Sequence, residues 1–509
     1  MTDHAGPDVA ALARDAFRRA DFTALGDLVA KHPLEFWFTV PPSESYAMLA
    51  AVPPAKLRRH PTAHALLRIL SGSALDSDLG ADTQEVAVHG GMKRFEQGIT
   101  LGQATQTRLA GDPVRAFTMM RRLRAVAAAV PFLMEGGRGE RTFALVQTAI
   151  SGMLAGRQAE ALALFEKSLV PPLPTALRFL TRDALVRSAM IHALYGDPRR
   201  AQINLERARE VPRTRSWVED ILDTDERLVV ALLRPREEAQ LAFEEASSTS
   251  IAQMHELWPL HVVGIGYLGI LADRREDARR RLQEIEDAEL AQLPGAGLTG
   301  SVLAMEFALD ALLSGAVGRA QQLLEGADKR MWRTKVLLAL TAVGGGAHAR
   351  AIQLARSAST HTRHLPQAEA SRLAVIALAH HGRGDASAAI SALSAVPDPG
   401  LPLAIGLVRR FSPELLALAA ERLSAWSAAP GAVAPSPTEG PVAFEELLLT
   451  DRELEMLTGI AAGRSREEIA RDLFLSVNTV KTHQRSLYRK LGASTAGEAL
   501  AEGRRRGLI

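Results

Sequence analysis

The sequence predicts an all-α protein: an N-terminal α-solenoid of helix-pair repeats over residues 1–427, a linker over 428–441 and a four-helix domain over 442–509. Three observations carry that prediction. Apolar residues make up 47% of the chain and aromatics only 5%, with alanine and leucine dominating, a composition suited to helices packed closely on helices. One turn-and-small-residue pattern recurs from Gly111 to Val396, and residues 465–491 hold two helix starts followed by a one-sided positive face.

The recurring pattern is a turn-forming residue, a small residue five positions on, a large apolar one four further, and a small or apolar one three beyond that. It runs through Gly111, Ala116, Met120, Leu123; Gly156, Ala161, Phe165, Ser168; and Gly196, Ala201, Leu205, Ala208. Further copies start at Arg234, Asp273, Gly315, Gly346 and Gly384. The intervals range from 31 residues (Gly315 to Gly346) to 45 (Gly111 to Gly156). Each start suits an inter-helix turn, where glycine or an Asp-Pro step ends one helix and opens the next. The units resemble degenerate tetratricopeptide-type repeats, and Met48 to Gly72 resembles the beginning of the helical array of MalT-like regulators. One helix pair cannot bury its apolar face alone, so neighbours must stack, and the stacked surface is suited to holding a partner or ligand.

Residues 428–441 contain four prolines, two glycines and no apolar periodicity, the composition of a flexible connector. Beyond them, Thr450 and Glu453 have capping-box spacing, and Leu454, Leu457 and Ile460 share one face of a helix ending at Ala462-Gly463. Ser465 and Glu468 repeat that spacing and open a short helix with Ile469, Ala470 and Leu473 inward. Ser476 caps the next helix, in which Val480, Leu487 and Leu491 share a face. Its other side carries Asn478, Lys481, Thr482, Arg485 and Arg489. Between Asp472 and Glu498 there is no acid, against Lys481, Arg485, Arg489 and Lys490, so this stretch is locally basic in a chain of net charge +2. A last helix starts at Ser494 or Thr495 and ends at Arg504-Arg505-Arg506, where positive charge complements the helix dipole.

The segment from Leu449 to Ala493 is similar to the LuxR/GerE-type helix-turn-helix domain over its whole length. Glu453, Leu457, Gly463, Ile469-Ala470, Leu473, the run Ser476 to His483, and Arg489-Lys490-Leu491-Gly492 stand where that family has them. The resemblance implies a third helix in the DNA major groove, with Lys481, Thr482 and Arg485 as base readers. Thr479 and His483 match phosphate-touching positions, and Asn478, Arg489 and Lys490 are supporting or phosphate contacts. It further implies dimerisation through the last helix, about Thr495 to Arg505. Two departures are Arg466, where Asn is usual, and Ala496-Gly497, where Arg-Thr is common; Gly497 weakens its helix by up to about 1 kcal/mol relative to alanine.

The absence of cysteine excludes disulfides, cysteine-held metals and thiol catalysis. No Gly-x-x-x-x-Gly-Lys-Ser/Thr loop occurs, although MalT-like regulators usually have an ATPase that carries one. Gly264, Gly266 and Gly269 spell a dinucleotide-binding string without the strand it requires, so they are read as helix-packing residues. His255, Glu256 and His261 lack the spacing that puts two imidazoles on one zinc. The expectation is therefore a non-enzymatic, cytoplasmic regulator without cofactor or metal. Double-stranded DNA is its target, it pairs as a homodimer on DNA, and an unidentified protein or small molecule acts on the solenoid. The alternative is an interaction scaffold whose terminal domain serves dimerisation or docking.

Overall fold

The computed structural model describes residues 8–71, 101–129, 139–170, 173–398, 402–427, 449, 451–473, 475–491, 493, 495–505 and 508–509. The expected linker 428–441, the Thr450 cap, Phe474, Gly492, Ser494, Arg506 and the side chain of Arg489 lie outside the described residues. Among the described residues every regular element is a helix. No described helix is long and apolar enough to cross a membrane.

The eight pattern starts fall in eight turns, each joining the two helices of a pair, from the turn before Pro113–Ala129 to that between Pro366–Gly382 and Ala386–Ser394. Six of these residues (Gly111, Gly156, Asp273, Gly315, Gly346 and Gly384) have positive φ, the left-handed conformation that glycine reaches without steric cost. At Gly111 there is a second reason. A Cβ there would lie 2.4 Å from the backbone of Gln292, because Leu293 donates its N–H to the Gly111 carbonyl at 3.1 Å. The small residues five positions on, Ala116, Ala161, Ala201, Ala239, Ala278, Ala320, Ala351 and Ala389, are all buried, as are the large residues that follow them.

The two helices of a pair have different surroundings. Pro198–Glu210 buries only Ala201, Leu205 and Ala208, a narrow stripe on an otherwise largely polar helix. Trp258–Leu271 is buried on nearly every face, as expected of a helix with neighbours on both sides. Gly264 belongs to this helix, and a Cβ on it would meet the Leu228 side chain at 2.8 Å. The glycine string therefore serves helix contact, as read from the sequence.

The chain's contacts gather into two compact bodies, one of residues 1–194, 198–274 and 283–300, the other of 195–197, 275–282 and 301–509. In the first, six short helices between Val9 and Leu70 bury their own core around Leu25, Phe36 and Leu49. Four of them open on proline, which has no N–H to leave unsatisfied at a helix start. The third, Pro33–Thr39, docks on the array, with the Phe38 ring 5.5 Å from Phe143, 4.7 Å from Phe179 and 6.0 Å from Trp217. Trp217 Nε1 donates to the Trp37 carbonyl at 2.8 Å. Helix Glu140–Leu154 packs on Gln158–Ser168, and Ala239–Ser248 packs on both Val218–Leu232 and Trp258–Leu271.

In the second body, Trp332–Gly344 packs on His348–Ser357 and on Pro366–Gly382, which in turn packs on Ala386–Ser394 and Pro402–Phe411. The pair Pro402–Phe411 and Pro413–Arg422 continues the array beyond the last copy of the sequence pattern.

The close approach of paired helices yields a stability prediction. Ala161→Leu places three further carbon atoms at a fully buried site, and overpacking of this kind costs about 1–3 kcal/mol. Urea denaturation followed by circular dichroism should show a lowered first transition for this variant, whereas Glu160→Ala, at the exposed neighbouring position, should unfold like the parent chain.

Candidate nucleic-acid interface

The terminal domain consists of α1 (Asp451–Ala461), α2 (Arg466–Asp472), α3 (Val477–Leu491) and α4 (Ala496–Arg505). The local code works as the sequence indicates. Ser465 N donates to Glu468 Oε2 at 2.7 Å and Glu468 N to Ser465 Oγ at 3.3 Å, a reciprocal capping box that satisfies two N–H groups at the start of α2. Ser476 Oγ accepts from Thr479 N at 3.1 Å and Thr495 Oγ1 from Glu498 N at 3.2 Å, so Thr495 caps the last helix. After α1, Gly463 has φ 72°, and Arg464 N reaches back to the Gly459 carbonyl at 3.1 Å. That bond terminates the helix through a left-handed residue.

One core joins the four helices. Leu457, Ile469, Ala470, Val480, Leu487 and Leu491 are buried in it as expected, and Met456 and Ala499 join them. Two glycines bring helices together: a Cβ on Gly459 would meet Ile469 at 2.8 Å, and one on Gly503 would meet Leu457 at 2.8 Å. Gly497 stands in the first turn of α4 with only Thr495 Oγ1, at 4.0 Å, near the place of its missing Cβ.

A polar network that sequence reading missed fixes α3 against α1 and α2. Arg466 Nε donates to Gln484 Oε1 at 2.7 Å, and Gln484 Nε2 donates to the Tyr488 hydroxyl at 2.7 Å. Arg466, a departure from the family pattern, thus ties α2 to α3. Gln484 is buried, and its place four residues after Val480 and three before Leu487 was the available signal. Lys490 Nζ donates to Glu453 Oε2 at 2.7 Å, and Glu453 is buried. The ammonium is therefore committed to joining α3 to α1, which places Lys490 among the supporting residues.

What remains on the outer side of α3 is a row of exposed residues: Asn478, Lys481, Thr482 and Arg485. Their spacing of three and four residues puts them on one helix face. Neither Lys481 nor Arg485 has an ion-pair partner among the described residues. Thr482 donates its hydroxyl to the Asn478 carbonyl at 3.1 Å, which leaves its methyl group and the oxygen lone pairs to face outward. Thr479 and His483 are half-buried at the edge of the row. The acids nearest in sequence are engaged elsewhere: Asp472 pairs with Arg464, and Glu468 is held well below the usual carboxylate range by its bonds to Ser465. A helix with unpaired cations on one side and a network fixing the other is chemically suited to a phosphate-lined groove.

The sequence profile of the family described as "Bacterial regulatory proteins, luxR family" matches residues 447–501. The chain is 46% identical over 57 residues to the CsgBAC operon transcriptional regulatory protein of Escherichia coli K12, a match covering 11% of this chain and 26% of that protein. It is 45% identical over 62 residues to the probable transcriptional regulatory protein NarL of Mycobacterium tuberculosis H37Rv, covering 12% and 29%. With the HTH-type transcriptional regulator MalT of Yersinia pestis it shares 42% identity over 57 residues, 11% of this chain and 6% of that one. The chain thus spans less than a third of the length of each of these relatives, and the similarity is that of one domain. The capped helix pair, its exposed basic row and these matches together identify the C-terminal part of the chain as a DNA-binding helix-turn-helix domain of the bacterial LuxR family.

Proposed function

We propose that the protein is a sequence-specific, DNA-binding transcriptional regulator of the cytoplasm, without catalytic activity of its own. In this reading residues 442–509 are the output domain, 428–441 the linker and 1–427 an array that senses a protein or small-molecule effector. Helix α3 lies in the major groove, with Lys481, Thr482 and Arg485 on base edges. Asn478, Thr479, His483 and Arg489 contact phosphates or support those that do, and Lys490 supports through Glu453. Two copies pair on DNA through α4. The observation that carries the reading is the row of exposed Asn478, Lys481, Thr482 and Arg485, whose cations have no described carboxylate partner. An arginine or lysine pairing with guanine O6 and N7 contributes about 1–3 kcal/mol of discrimination against a wrong base.

Footprinting with genomic fragments should locate a roughly two-fold operator. On that operator, Lys481→Ala with Arg485→Ala should weaken binding, relax base preference and flatten the dependence of affinity on salt, by about 0.9 in log–log slope for each phosphate no longer neutralised. An unchanged slope together with an unchanged preference would show that another face reads DNA.

The terminal domain has its own core, so residues 442–509 can be expressed alone. They should bind DNA non-specifically at low salt, and bind the operator more tightly than the full chain without effector. Equal operator affinities would remove inhibition by the array, and no DNA affinity at any salt would favour the scaffold reading.

A further inference from the structure

Two cavities lined by described residues of the first compact body differ in what their polar groups lack. The larger, about 590 Å³, is lined by arginines that are already answered. Arg182 is held by Glu219, Asp223 and Glu226, Arg213 by Asp223, and Arg234 by Glu245. The smaller, about 260 Å³, is different. Its walls are mostly apolar: Phe38 from helix Pro33–Thr39, Ile150 from Glu140–Leu154, Phe179 and Leu180 from Phe179–Tyr195, Trp217, and Leu257. Leu109, 53% exposed, and the exposed His255 stand at its rim. His255 has φ 45°, a backbone conformation that costs free energy in a non-glycine residue and is concentrated at functional sites.

Asp183, Arg187, Glu256 and Gln147 supply the polar lining of this cavity. Their hydrogen bonds are nearly complete. Arg108 donates Nε to Glu256 Oε2 at 2.8 Å, Nη2 to Gln147 Oε1 at 2.7 Å, and Nη1 to the Gln147 carbonyl and Ser151 Oγ at 3.1 and 3.0 Å. Arg187 donates Nε to Asp183, one helical turn before it. Its Nη1, however, is buried without a hydrogen-bond partner, on a side chain that is 4% exposed. Arg333 also has an unpartnered Nη1, but it borders neither cavity. A buried donor left unpaired costs about 1–3 kcal/mol. Arg187, which carries this orphan donor, is also one of the residues that line the aromatic-walled cavity.

The charges around Arg187 decide what can answer it. Arg108 is matched by Glu256 and Arg187 by Asp183, and Asp225 is a further acid close enough to act on the Arg187 charge. A carboxylate ligand would add another negative charge to a largely apolar site that already has its cations paired. A polyhydroxylated ligand would bury hydroxyls against an apolar wall with few partners for them. Resting on the sensor reading above, we propose that this cavity is the array's effector site, and that its ligand is a neutral one- or two-ring compound whose carbonyl oxygen accepts from Arg187 Nη1 while its rings lie among Phe38, Phe179 and Trp217.

Ligand-observed NMR titrations of the full chain with acetylnaphthalene, ethylnaphthalene and naphthoate test this. The ketone should bind saturably. The hydrocarbon, which leaves Nη1 unpaired, and the anion should each bind about tenfold or more weakly. Ile221→Trp, which fills the cavity from a half-buried lining position, should abolish binding with the helical circular dichroism retained. The double variant Asp183→Asn with Arg187→Met removes both charges together and should erase the preference for ketone over hydrocarbon. Naphthoate binding more tightly than the ketone, no saturable ketone binding, or ketone binding untouched by Ile221→Trp would each overturn the assignment. DNA affinity measured on the same preparation separates the two readings: DNA binding without ketone binding overturns the cavity alone, and ketone binding without DNA binding overturns the regulator alone.

Discussion

How near the second helix of each pair can lie to the first is the constraint on which the array depends. Fully burying a leucine or phenylalanine contributes about 1.5–3 kcal/mol, and ordering each residue's backbone costs about 1–2 kcal/mol. A helix such as Pro198–Glu210, with three buried residues in thirteen, cannot meet that cost unaided. It forms because its buried stripe rests on Phe179–Tyr195, with Ala208 against Leu185 and Val186, a helix that is buried on its other faces as well. The same geometry recurs at Ala161, Ala320, Ala351 and Ala389, all fully buried. The left-handed turns at Gly156, Gly315, Gly346 and Gly384 reverse the chain tightly enough to bring each alanine into register. Large residues at those positions would separate the helices, and within each compact body the loss would pass to the helices packed on them.

The terminal domain solves a different problem, which is to hold one helix so that its cations face outward. Of the four basic side chains that the sequence places on α3, Lys490 is drawn inward by the buried Glu453, so the apparent excess of charge is divided between structure and surface. Arg466, Gln484 and Tyr488 form the complementary restraint on the other neighbour. If α3 is the helix that reads DNA, as proposed, its fixing by side-chain bonds to both flanking helices means that it loses little conformational entropy on binding, which leaves more of each contact as net affinity.

Legibility followed the range of the interaction. The caps at Ser465 and Ser476 and the turns at the pattern starts depend on residues within five positions of one another and could be read from spacing, and the cap of the last helix could be narrowed to Ser494 or Thr495. Gly264 was legible as a packing residue because a dinucleotide site needs a strand, and none precedes it. By contrast, Glu453 and Lys490 are 37 residues apart, and Arg108 and Glu256 are 148 apart; no periodicity relates them. His255 and Glu256 attracted notice only as a failed zinc spacing, yet Glu256 answers Arg108 and both border the cavity. The docking of Phe38 on Phe179 and Trp217 was equally hidden, because a short proline-opened helix gives no sign of the distant surface it will cover.

The numbers available to one reading helix bear on how such a regulator must work. In the proposed function, three base-reading side chains at about 1–3 kcal/mol each would give one domain discrimination that a genome's excess of competing sites largely consumes. Under the same proposal, two domains on two half-sites would add those free energies, so the affinity ratios would multiply and the same three residues would suffice. Pairing is then the step at which control has most leverage: withholding the second domain removes half of the discrimination without altering a single base contact. An effector acting there need not touch the reading helix at all. Under the proposed sensor reading it would need only a few kcal/mol of differential affinity between an array that permits pairing and one that does not, a magnitude within reach of one buried hydrogen bond and one filled aromatic cavity.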